Sequence, residues 1–139
     1  MKKLFLILFC LLTLVSFVGC QERVTINGEF LPVTWDVPDG EIPEGATLSY
    51  ELFTTTYPTH GTLLSVGTTL ALDYSVPLPV GVDTDIGVIA KFTYDDGHVE
   101  TSDYLWSSVG GVNANKEPWP FYGKRYVKPN KVKAFRVKQ

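Results

Sequence analysis

From residue 29 onward, apolar and polar side chains alternate in short runs separated by clusters of Pro, Gly and Asp. Such alternation puts successive side chains on opposite faces of a strand, so the pattern predicts antiparallel β-structure. Phe30 to Trp35 reads as a strand with Leu31, Val33 and Trp35 on one face. Residues 37–45, rich in Pro, Gly and Asp, form a loop. Leu48 to Thr56 alternates cleanly, with Leu48, Tyr50 and Leu52 inward. Leu63 to Val66 is a short edge strand, and Leu70 to Val76 alternates again. Pro77 to Gly81 turns a corner. Ile86 to Tyr94 is the most apolar run and is placed at the centre of a sheet. Asp95-Asp96-Gly97 is a hairpin turn, and His98 to Trp106 returns beside it. The expected fold class is all-β, a single antiparallel β-sandwich spanning 29–108.

The first twenty residues follow a different pattern. Lys2 and Lys3 precede an uncharged apolar run from Leu4 to Val18, then Gly19 and Cys20. The run is about 15 residues, short of the roughly 20 that cross a bilayer core. Its layout is that of an export signal, expected to be helical. A plain secretory cut before Cys20 would put the bulky Phe17 where a small residue is wanted. Phe17-Val18-Gly19-Cys20 resembles the lipobox of bacterial lipoproteins, with Phe17 where that family usually has Leu. The resemblance implies a lipoprotein signal peptide at 1–19, two or three acyl chains on Cys20, and a linker from the lipid anchor at 20–28. Two chains give stable membrane attachment where one does not. Gln21, in place of the aspartate that retains Gram-negative lipoproteins at the inner membrane, points to the outer membrane in such a host. Cys10 leaves with the signal and Cys20 is acylated, so no pair remains for a disulfide.

The sandwich residues carry a second resemblance. Val33-x-Trp35, Tyr50, Leu78-Pro79-x-Gly81 and Val88-x-Ala90 are similar to the pattern of fibronectin type III domains, over roughly 25–108. The resemblance implies an immunoglobulin-like sandwich with Trp35 and Tyr50 in its core. The sequence departs from the family at Thr84, where the family's spacing puts a corner tyrosine.

Charge divides the chain. Residues 20–108 hold two basic and fourteen acidic side chains, a net of −12, while residues 109–139 hold eight basic and one acidic, a net of +7. Such a split points to electrostatic association. The basic, aromatic segment 109–139 is expected to be irregular or to add an edge strand to the acidic sandwich. As a binding segment it would use Trp119, Phe121, Tyr122, Lys124 and Arg125, because aromatics and Arg dominate binding hot spots. The partners expected are the membrane through Cys20, and an envelope protein, a glycan or an anionic surface through this segment. Nucleic acid is not expected.

Little points to catalysis. His60 and His98 lie in turns, outside any H-E-x-x-H array, and no G-x-S-x-G elbow exists. Asp95 and Asp96 serve their hairpin. Asp36, Asp39, Asp83 and Asp85 could line an acidic rim, but calcium needs six to eight oxygens in a defined loop. No catalytic residue, metal or cofactor is assigned. The expected function is a non-catalytic binding or structural module on the bacterial envelope. A phage or prophage lipoprotein that blocks superinfection by occupying a receptor is the second reading, and an envelope enzyme the third.

Overall fold

The structure is a computed structural model that describes residues 21–130, 133–134 and 136–138. The signal segment and Cys20 lie outside the described residues. Among the described residues nine strands run in chain order: β1 (Glu22–Ile26), β2 (Phe30–Thr34), β3 (Ala46–Thr56), β4 (Leu64–Thr69), β5 (Asp73–Pro77), β6 (Thr84–Tyr94), β7 (Val99–Thr101), β8 (Leu105–Trp106) and β9 (Phe121–Arg125). A four-residue helix, α1 (Ser107–Gly110), follows β8.

Seven strands form one sheet in the order β1-β9-β6-β3-β4, with β7 and β8 also on β6. The other two, β2 and β5, pair antiparallel as a small sheet. β3 and β6 form the spine, paired from Ala46–Tyr94 to Thr56–Thr84. The apolar run of β6 is therefore central, as its composition predicts, and β4 lies at the edge as expected. Side chains from both sheets meet in one core of Leu31, Leu52, Val76, Leu78 and Ile86, with Val24, Ile26, Trp35 and Phe121 packed around it. Leu52 and Val76 are fully buried; each contributes about 1.5–3 kcal/mol by leaving water. Trp35 packs edge-on against Tyr50 with ring centroids 5.3 Å apart.

Four expectations need correction. The expected linker, 20–28, contains β1, whose Val24 and Ile26 join the core. The expected irregular or edge tail, 109–139, contains β9, which is interior because β1 covers it. Trp119, just before β9, donates its indole N–H to the Glu22 carboxylate. β1 and β9 run parallel, so the sheet is mixed rather than antiparallel. The run from His98 to Trp106 also splits in two. Ser102 causes the break, because its hydroxyl takes the Ala90 N–H at 2.9 Å in place of a backbone carbonyl.

Candidate functional site

The five residues expected to bind a partner are brought together on and beside β9, and each is engaged within the domain. Trp119 packs on Phe121 with centroids 5.3 Å apart. Phe121 faces the core. Tyr122 points the other way and stacks on Tyr57 at 4.2 Å, with the ring planes nearly parallel. The Arg23 guanidinium stands 5.6 Å from the Tyr122 ring centroid. Hydrogen bonding with Tyr122 first, and the Asp83 carboxylate second, hold that guanidinium still more firmly protonated than usual. Asp83 sits between Arg23 at 3.3 Å and Lys124 at 3.6 Å. Arg125 donates to the Leu78 carbonyl at 3.4 Å. The cations of this strand thus meet one carboxylate, Asp83, and one backbone carbonyl of the loop before β6.

The most connected polar group is Asp85, which the sequence reading places on an acidic rim rather than inside the domain. Asp85 lies one residue into β6, and its side chain is fully buried. A buried carboxylate must be satisfied by hydrogen bonds or it costs several kcal/mol. Its Oδ1 accepts the Ile86 N–H at 3.0 Å, the Ser107 hydroxyl at 2.9 Å and the Ser108 N–H at 3.1 Å. Its Oδ2 accepts the Ser108 hydroxyl and His60 Nε2, the latter at 2.5 Å. With Asp85 as a carboxylate, which only accepts, His60 donates to it from Nε2. These bonds fill the acceptor capacity of both oxygens. Asp85 also serves as a cap for α1, whose N-cap residue, Trp106, supplies no side-chain bond.

Aromatic packing closes the node. The His60 ring lies 4.8 Å from Trp106, and Trp106 stacks on Tyr104 at 5.2 Å. The Trp106 ring covers Gly87, where an added Cβ would meet it at 2.7 Å. His60 holds its position at φ +42°, in the left-handed region. The His60 side chain remains 38% exposed, so the node is reached by solvent from one side only.

His, Asp and two Ser side chains invite comparison with an acyl-transfer triad. There the imidazole stands between carboxylate and hydroxyl and takes the hydroxyl proton. Here the carboxylate stands between, and both hydroxyls donate to Asp85. The arrangement stabilises a negative charge and joins three distant segments. One signal could have marked it: a charged residue set directly before the most apolar strand of the chain demands buried partners.

The four aspartates of the expected acidic rim are not brought together. Asp85 is inside the node, Asp83 is between two cations, and Asp36 pairs with Lys116 at 3.5 Å. Among the described residues, no three His, Cys, Asp or Glu side chains gather as a metal site would need. A cleft of about 480 Å³ lies beside β2, lined by Trp35, Leu52, Ile86, Val88, Trp106 and Phe121 among others. The Lys116–Asp36 pair stands on its lining. The Trp35 indole nitrogen is buried with no hydrogen-bond partner among the described residues.

Among the described residues, no helix is long and apolar enough to cross a membrane. Compared with protein-family models, with curated proteins and with solved structures, the chain gives no match.

Proposed function

We propose that the chain is a non-catalytic, lipid-anchored envelope lipoprotein whose body, a fibronectin type III-like sandwich, is a binding or structural module. The observation that carries this reading is the Phe17-Val18-Gly19-Cys20 ending set one residue, Gln21, ahead of β1. A lipid on Cys20 would hold the sheet directly against the headgroups. Strand grouping supports the sandwich: β2 and β5 form one sheet, while β3, β4, β6 and the return strands form the other. Immunoglobulin-like sandwiches divide their strands in a similar way. The filled hydrogen-bond capacity of Asp85 supports a structural role for the His–Asp–Ser node, leaving recognition to the cleft and to the exposed C-terminal residues.

Cys20→Ala tests the anchor. The variant is expected to leave the membrane fraction and to lose labelling by a fatty-acid probe. Continued lipid labelling would overturn the lipoprotein reading.

A further inference from the structure

The parallel register of β1 and β9 fixes where the chain leaves the domain. Glu22 faces Phe121 and Ile26 faces Arg125. Beyond β9, the Tyr126 N–H donates to the Ile26 carbonyl at 2.8 Å. The chain therefore comes in at one end of this strand pair and departs at the other, on the order of 13 Å away at ~3.3 Å per residue. With a lipid on Cys20, the first end is at the membrane and the second faces away from it.

What departs is basic. Lys128, Lys133, Arg136 and Lys138 are exposed. None of these four forms an ion pair among the described residues, whereas Lys116 and Lys124 do. We propose that they form a cationic arm that takes a polyanionic glycan, a polymer bearing repeated phosphate or carboxylate groups, on the side of the domain away from the anchoring membrane. The placement rests on the lipoprotein reading; the charge recognition does not.

Spacing favours a polymer. In an extended chain, Lys133, Arg136 and Lys138 stand about 10 and 7 Å apart, and the described residues among 127–138 form no strand or helix that would fix them as one patch. A polymer with repeated charges meets such a string at several points. The acidic body, at −12 for residues 20–108, repels the same polymer. Its field falls off over about 8 Å at physiological ionic strength. In an extended chain Lys138, 12 residues past Tyr126, can stand on the order of 40 Å from it, well outside that field.

The test uses the acylated full chain in phosphatidylcholine vesicles, with fluorescent polyphosphate as the phosphate probe and polygalacturonate as the carboxylate probe. Accumulation of either probe on the vesicles is expected, and the two together identify which anion is preferred. Raising salt from ~50 to ~200 mM is expected to weaken binding roughly 50-fold if four cations engage. A chain ending at Tyr126 keeps β9 whole and is expected to lose binding at least about tenfold. The full-length variant Lys128→Gln/Lys133→Gln/Arg136→Gln/Lys138→Gln is expected to match it. Unchanged binding in both variants, or binding only to a folded acidic protein, would overturn the arm. For placement, Lys138→Cys carries a dye on chains in vesicles containing phosphatidylglycerol. The dye is expected to stay bright with headgroup-located quenchers; strong quenching would show the arm on the membrane and refute the assignment. The soluble Cys20→Ala chain, titrated with both probes, reports charge recognition by itself. Failure of vesicle retention then counts against the anchor alone.

Discussion

The two ends of β6 are held in different ways. At its start, Thr84 to Gly87 are all buried, and Asp85 gathers His60, Ser107 and Ser108 from 22 to 25 residues away. At its finish, Thr93 and Tyr94 are exposed or half-buried, and the hairpin at Asp95-Asp96-Gly97 leads into the fully exposed β7. The Tyr94 N–H donates to the His98 carbonyl at 2.9 Å, and the His98 N–H to the Asp96 carboxylate at 2.9 Å. One end is a long-range polar closure under aromatic rings. The other is local turn chemistry that water can replace. A strand can thus have uniform hydrogen-bonding along its backbone and still be anchored mainly at one end, because what matters is how many otherwise unpaired groups its removal leaves buried.

Asp85→Ala should be the most damaging change, because it leaves the Ser107 and Ser108 hydroxyls, the Ser108 N–H and the His60 ring without their acceptor. A loss of about 3 kcal/mol is expected in urea unfolding; a loss no larger than that at the hairpin would erase the distinction between the ends. Gly87→Val should cost about 2 kcal/mol by forcing Trp106 off its seat, and the accompanying loss of its near-ultraviolet circular dichroism would separate displacement from simple weakening. At the hairpin, Gly97 has φ +88°. Gly97→Ala should cost about 1 kcal/mol through backbone strain alone, with Trp106 fluorescence unchanged. The smallest effect is electrostatic and concerns neither end. The Ser65 hydroxyl, and then Lys91, hold the Glu51 carboxyl below the usual glutamate range. A depressed folded value adds stability above the unfolded pKa and loses it as pH falls through the folded one. The gap in stability between wild type and Glu51→Gln should therefore be constant at neutral pH and close in acid. A gap that persists in acid would assign the effect to packing.

The same contrast explains what the residues reveal by themselves. Alternation in Phe30 to Trp35 and Leu48 to Thr56 encodes which side chains go inward, and the Asp-Asp-Gly turn encodes the local reversal of the chain. These are properties of neighbours in sequence. β1 is harder to read, since five residues with two outward charges resemble a linker until Val24 and Ile26 find the core. β9 reads as a binding motif because rings and cations are what both hot spots and buried seams use. Its partners, Tyr57, Asp83 and Glu22, are separated from it by tens of residues. Asp85 could be recognised as a charge in need of company, but nothing near it names His60 or Ser108. Long-range polar closure has no period, so patterning does not find it.

The parallel run of β1 beside β9 has a mechanical consequence. A membrane tether at the head of β1 and a tug on the residues after β9 would draw the two strands in opposite directions along their common axis. All the hydrogen bonds between them, with the Trp119–Glu22 contact at one end and Tyr126–Ile26 at the other, then resist in shear and must give way together. Antiparallel neighbours pulled from one end would instead peel apart bond by bond. Survival under such tension is governed by the unfolding rate rather than by equilibrium stability, and this seam raises that barrier along the line on which an anchored protein gripping a polymer would be pulled.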